Sequence, residues 1–121
     1  MRLALCQIPV SSRPDVNSGR VRTALEQAAD SGADLAVFPE ATQIRFGSDL
    51  RAAAEPLDGP FCTELAGAAA ETGVALVAGV FEPAPDGRVY NTAVEKMSNT
   101  VGPPSGPPSH RSTVCFTHSV V

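Results

Sequence analysis

Glu40 is the residue best placed to do chemistry. It closes the phrase GADLAVFPE (32–40), two residues past the end of an apolar run, LAVF at 35–38. In open α/β sheets ligands gather outside the carboxyl ends of the strands, and Glu40 stands at such an end. Pro39 fixes its own φ and biases Phe38 toward extended geometry, so the carboxylate is carried on stiff backbone. A carboxylate at the edge of an apolar strand is expected to be partly desolvated. Desolvation raises its pKa and suits it to proton transfer near neutral pH. The plainer alternative is a solvated loop glutamate that merely follows a strand.

Other reactive side chains are few. Cys6 reads as strand core. Cys62 falls in the first turn of a helix, where the helix N-terminus can lower a thiol pKa, although a small half-buried hydrophobe is the simpler role. Cys115 lies in TVCFTHSVV with His118 three residues on, but a Cys/His pair is made in space and not by proximity in sequence. Lys96, in VEKMSN, is the only lysine of the chain; its plainer reading is an exposed cation at a strand end. Arg45 and Arg51, in the loop 41–59, could meet a substrate carboxylate or be plain surface. Asn91 and Thr92 read as residues of the fold, tying a turn or a neighbouring strand.

The elements that must position these groups follow from periodicity. RLALCQIP (2–9) reads as a short strand closed by Pro9, which cannot donate to a ladder. The turn-rich SSRPDVNSG offers Asp15 and Asn17 as helix N-caps. Val21, Ala24, Leu25, Ala28 and Ala29 recur at helical spacing, and Gly32 supplies the left-handed stop. LAVF is continuous rather than alternating, as expected of a strand covered on both faces. Pro60 opens a second helix whose apolar face is Phe61, Leu65, Ala68 and Ala69, and Gly73 ends it. VALVAGVF (74–81) is a buried strand, Asp86-Gly87 a hairpin signal and RVYNTAV the returning strand. The order is β-α-β-α-β-β, an α/β arrangement with an antiparallel pair at its end.

Bulk properties exclude several classes. The 121 residues amount to one domain or a fragment of one, with 43% hydrophobic and 18% charged residues, ordinary for a globular protein. A net charge of −4 favours neither a nucleic-acid backbone nor an anionic membrane surface. No apolar run is long enough to span a bilayer, and MRLALCQIPV is broken at Pro9 rather than forming a leader. Three cysteines without regular spacing argue for a reducing compartment, hence the cytoplasm. A nucleotide-binding βαβ unit would need a Gly-rich first turn, whereas QIPVSSRPDVN contains none.

GADLAVFPE after LALCQIPV, and ETGVALVAGVFE followed by DGRVYNTAV, together resemble the carbon–nitrogen hydrolase (nitrilase/amidase) superfamily. The resemblance runs in order from Arg2 to Val94. It implies a four-layer α-β-β-α sandwich and hydrolysis of a small non-peptide amide or a nitrile through a Glu–Lys–Cys triad. Glu40 matches the family's glutamate, which acts as general base and then acid. The resemblance implies neither a metal nor an organic cofactor, and it implies pairing as a homo-oligomer.

The pattern breaks after Val94. In such proteins a lysine phrase and then a cysteine phrase follow, and neither is recognisable in EKMSNTVGPPSGPPSHRSTVCFTHSVV. Lys96 and Cys115 are the candidate substitutes, each without its family context. All thirteen Asp and Glu fall at or before Glu95, and from Ser98 onward Arg111 is the single Asp, Glu, Lys or Arg. This shift divides the chain into a hydrolase-like portion, 1–97, and a divergent Pro/Gly/Ser-rich tail, 98–121. The tail is expected to be disordered through 98–109, with STVCFTHSVV either a β-prone strand or an exposed sticky end. Two readings stand: a hydrolase of which this chain carries the general base, its coding sequence shifted or cut short near codons 94–98, or a non-catalytic remnant that binds partners through an exposed sheet. A generic α/β small-molecule binder is a distant third.

Overall fold

The computed structural model describes residues 1–97 and the backbone of 116–120. Its elements are β1 (Leu3–Leu5), α1 (Pro14–Asp30), β2 (Leu35–Val37), α2 (Leu50–Ala53), α3 (Pro60–Thr72), β3 (Ala75–Pro83), β4 (Val89–Lys96) and β5 (Phe116–Val120). They form one sheet in sequential order. β1, β2 and β3 are parallel, and β4 and β5 add antiparallel strands.

The end of the tail joins the sheet. Of the two readings for STVCFTHSVV, the strand holds over Phe116–Val120, which pairs with β4. The free edge of β4 offers unpaired backbone groups, and a β-prone segment satisfies them. The disorder expected of 98–109 lies outside the described residues.

Helix α1 begins one turn earlier than its polar residues suggest. Pro14 occupies the first helical position and Arg13 is the cap, without a side-chain hydrogen bond. Pro is preorganised for that position and lacks the N–H that would otherwise be orphaned. Neither Asp15 nor Asn17 therefore caps the helix. Asp15 sits in the first turn, paired with Arg13, and Asn17 is wholly buried inside the helix. In α3 Pro60 takes the first position and Gly73, at φ 72°, makes the left-handed stop.

Helices α1 and α3 cover one face of the sheet. Val21, Leu25 and Ala28 of α1 and Phe61, Leu65 and Ala69 of α3 pack on Ala36, Leu76, Ala78, Val80 and Val94. Because side chains alternate along a strand, the odd-numbered residues of β3 and β4 face the other way. On that side Ala41, Ile44, Phe81 and Val89 form a smaller cluster, closed by Leu50, Ala53 and Ala54. Among the described residues the rest of that face is open. Leu3 and Leu5 are 50% and 76% exposed, and Leu35, Val37, Val77 and Ala93 are only half-buried. Among the described residues β2 is thus covered on one face rather than two. The described residues make one helical layer and one sheet of a four-layer sandwich.

Candidate functional site

The chain between β2 and α2 leaves the sheet as an arch and returns to it. β2 ends at Val37, yet β3 continues to Pro83 and its backbone groups still need partners. They are met in order. Phe38 N–H donates to the Val77 carbonyl (2.9 Å), Gly79 N–H to Pro39 (3.3 Å), and Gln43 N–H to Gly79 (3.1 Å). Phe81 N–H then finds the Gln43 side-chain oxygen at 2.8 Å, and Glu55 N–H donates to the Phe81 carbonyl at 3.1 Å. Glu40 to Thr42 form the crown of the arch, tightened by the Thr42 hydroxyl donating to the Pro39 carbonyl at 2.5 Å.

Gly79 makes this path possible. A Cβ built there would overlap the Glu40 carbonyl, so the arch rests directly on the strand backbone. Close backbone approach of this kind is one of the uses of a strand glycine.

Glu40 is aimed across the sheet at β4. The Asn91 side-chain amide donates to its Oε1 at 2.6 Å. Asn91 pairs with Phe81 in the hairpin register, which puts its side chain on the arch side of the sheet. Thr92, its neighbour, points to the helix-covered face and donates to Glu82 at 2.7 Å. A cavity of about 300 Å³ opens beside this pair, lined by Pro39, Glu40, Val77, Gly79, Asn91 and Ala93. Its walls are mainly apolar, and its fixed polar groups are the Glu40 carboxylate and the Asn91 amide. That combination of apolar walls and a few convergent polar groups is the ordinary make-up of a small-molecule site.

The desolvation expected of Glu40 is not met: the residue is exposed. It stands on the uncovered side of the sheet, where nothing among the described residues packs over it. Asn91, expected only to serve the fold, is among the described residues the side chain that holds the carboxylate. The observed loop is Pro85–Gly87, closed by Ala84 N–H donating to the Arg88 carbonyl at 2.9 Å, and its register places Asn91 across from Phe81. A two-residue turn at Asp86-Gly87 would have placed it across from Glu82, so the sequence signal marked the hairpin but not this register.

The other candidates fall elsewhere. Lys96 pairs with Leu76 at the opposite end of the hairpin from Asn91, on the helix-covered face that Val94 shares. Cys115 lies outside the described residues. Cys62 is buried in the first turn of α3. Cys6 is half-buried just beyond β1, and burial pushes its thiol pKa up, away from nucleophilic use. Arg45 and Arg51 are exposed. Arg45 lines a groove with Ser48 and Asp49 on the outer side of the 41–59 loop, apart from the Glu40 cavity. No group of three or more metal-ligating side chains is assembled among the described residues, and no helix among them is long and apolar enough to cross a membrane.

Comparison with known proteins agrees with this architecture. The sequence model of the carbon–nitrogen hydrolase family matches residues 2–98, and the chain belongs to that family. A hydrolase of Mycobacterium tuberculosis is 43% identical over 110 residues, which cover 91% of this chain and 38% of that protein. The omega-amidase of Danio rerio is 34% identical over 92 residues, 75% of this chain and 33% of the relative. Among solved structures, an amidase from Nesterenkonia sp. superposes with a TM-score of 0.68 at 28% identity, covering 80% of this chain and 38% of that one. A CN-hydrolase superfamily protein from Xanthomonas campestris superposes with a TM-score of 0.72 at 24% identity, covering 84% and 38%; at that identity the likeness is one of fold. The chain spans little more than a third of the length of the curated relatives it matches.

Proposed function

We propose that this chain is the N-terminal portion of a carbon–nitrogen hydrolase that cleaves a small non-peptide amide or nitrile, with Glu40 as its general base. The observation that carries the reading is the Glu40 carboxylate, held by Asn91 at the mouth of an apolar cavity at the carboxyl end of β2. In the mechanism that the family resemblance implies, a cysteine thiol gives its proton to Glu40, and the thiolate attacks the carbonyl or nitrile carbon. A lysine donates to the oxyanion of the tetrahedral intermediate. Glu40 returns the proton to the departing nitrogen, then takes one from the water that hydrolyses the thioester. An amide thereby yields a carboxylic acid and ammonia or an amine.

Two relatives guide the choice of substrate. One is an omega-amidase, and a mutant of an amidase from Nesterenkonia sp. has been solved after Michael addition of acrylamide at its active-site cysteine. Short primary amides are therefore the class to assay first.

The lysine and cysteine are not supplied by recognisable phrases of this sequence. Lys96 stands on the far face of the sheet, so the reading takes its lysine from elsewhere, and Cys115 is kept as a candidate nucleophile. The family model's match ends at residue 98, while the alignment with the mycobacterial hydrolase takes in 91% of the chain and so reaches into the tail. The reading of a coding sequence shifted out of frame or cut short near codons 94–98 rests on the absent lysine and cysteine phrases. Reading the coding DNA in all three frames from codon 88 to well past the stop tests this. A frame that restores the lysine and cysteine phrases supports the hydrolase reading of the whole protein. If no frame restores them, Glu40 is a base without a nucleophile.

A second reading has its own observation. The sheet face bearing Leu3 and Leu5, 50% and 76% exposed, is an apolar surface of the kind that drives association. In that reading the chain is a non-catalytic remnant that pairs with a second copy through this face.

A further inference from the structure

We infer that Gln43 is the positioning residue of the base: its buried side chain acts as a missing rung of the β2–β3 ladder and so fixes the arch that presents Glu40 to Asn91. The inference rests on the reading of Glu40 as the base, and goes beyond it by naming what holds the base in place.

Gln43 is a polar side chain in a loop, yet it is 1% exposed. A buried amide has four hydrogen-bonding positions to satisfy, and the main ones here are filled by backbone. Its Oε1 accepts from Phe81 N–H at 2.8 Å, and its Nε2 donates to the Ala53 carbonyl at 2.8 Å. The same Nε2 lies 3.4 Å from Glu55 Oε1, an oxygen that also accepts from Phe61 N–H at 2.8 Å. The Gln43 backbone is held as firmly. Its N–H donates to Gly79, and its carbonyl accepts from the Asn17 side chain at 2.9 Å. Asn17, wholly buried in α1, also donates to the Ser11 carbonyl and accepts from Ser11 N–H.

The geometry explains why a glutamine is needed. Three residues, Glu40 to Thr42, rise off the sheet between the Pro39 and Gln43 rungs. After such an excursion the backbone is out of register, and Phe81 N–H would be a buried orphan. The primary amide presents an acceptor and a donor much as a peptide unit does, at the end of a side chain long enough to reach back. It therefore closes the ladder without drawing the arch flat. Both feet of the arch are pinned, and the crown carrying Glu40 is held over Gly79. Leucine or methionine would fill the space and leave Phe81 N–H and the Ala53 carbonyl unpaired, which is costly in a buried site.

The test is nuclear magnetic resonance on the 121-residue chain. Its readout is the nuclear Overhauser contact between the Asn91 side-chain amide protons and the Glu40 γ protons, which reports the arch position and does not depend on turnover. Gln43→Met is compared with the unaltered chain, with Glu40→Ala as the reference for a lost contact. Leu25→Ala, a core truncation in α1 remote from the arch, serves as the control for general destabilisation. The expected result is loss of the contact in Gln43→Met, its Asn91 side-chain resonances moving to their Glu40→Ala positions, while Leu25→Ala keeps both. Should Gln43→Met not fold, Asn17→Ala, which frees the Gln43 carbonyl and the Ser11 backbone but leaves the Gln43 side chain in place, is expected to weaken the contact at least twofold. The inference is overturned if the contact persists in folded Gln43→Met, if Leu25→Ala loses it equally, or, where Gln43→Met does not fold, if Asn17→Ala leaves it intact. If Glu40 proved not to be a base, the contact and its dependence on Gln43 would still be measured as stated, so the two readings fail separately.

Discussion

The Asn91 amide and the Glu40 carboxylate meet at 2.6 Å across 51 residues of sequence. The contact joins the hairpin strand β4 to the arch that follows β2, and it engages one carboxylate oxygen, Oε1. A base used for proton transfer must be held within reach of its proton before its basicity matters, and among the described residues that holding is done by the Asn91 amide. Replacing Asn91 with leucine removes the donor while keeping the side-chain volume close. In a completed enzyme this is expected to lower kcat/KM by about tenfold or more, given that a hydrogen bond to a charged group is worth about 1.5–3 kcal/mol. Steady-state ammonia release by the two forms measures it; equal rates would remove Asn91 from the site.

Gly79 should be among the least replaceable residues of the chain. An added Cβ meets the Glu40 backbone, not the flexible end of a side chain, so the arch must lift. Gly79→Ala is expected to lower stability by about 3 kcal/mol, the upper part of the usual range for overpacking. Urea denaturation measures this. Gly67→Ala in α3, where a Cβ meets nothing within 4 Å, is the matched control, and there the greater helix propensity of alanine should raise stability slightly.

Much of this arrangement was legible in the sequence, and the parts that were not have a common cause. α3 could be read from end to end because its signals are local: Pro60 at the first turn, Gly73 at the stop and an apolar stripe between. Glu40 was legible because Pro39 and the preceding apolar run mark a strand end. Asn17 has the residue type of a cap, whereas its side chain is spent on the Ser11 backbone and on the Gln43 carbonyl, 26 residues away. Gln43 itself carries no local signature, since its partners Ala53 and Phe81 are 10 and 38 residues distant. The exposure of Glu40 could not be read from LAVFPE at all, because it depends on what covers the opposite sheet face.

Association should follow that uncovered face. Leu5 is 76% exposed at the edge of the sheet, and contiguous apolar surface of this kind marks interaction or aggregation sites. Leu5→Lys is expected to raise the monomer fraction in sedimentation velocity at a given concentration, with the α1 and α3 packing unchanged. Identical sedimentation of the two forms would show that this face does not drive association.

The acid side of the stability profile carries one local signature in the hairpin. Arg88 donates from Nε to Asp86 at 2.6 Å and holds the Asp86 carboxyl below its ordinary value of 3.8. A carboxyl lowered in the folded state binds its proton more readily when unfolded. Its contribution is therefore present above the unfolded pKa and lost as pH falls through the folded value. Asp86→Asn is expected to flatten the stability curve below pH 4 and to leave its shape near neutrality unchanged. Both side chains are exposed to solvent, so the effect is small and diminishes in salt. Thermal melts at stepped pH read it out.

The most direct test of the account joins residues 1–94 of this chain to the remaining C-terminal portion of its 43%-identical mycobacterial relative and assays ammonia release from short primary amides. The account predicts turnover by the chimera, a loss of at least about a thousandfold in Glu40→Gln, as expected when one member of a catalytic unit is removed, and none by the 121-residue chain alone. An active chimera that keeps its rate with Glu40→Gln would contradict the assignment of Glu40 as the base.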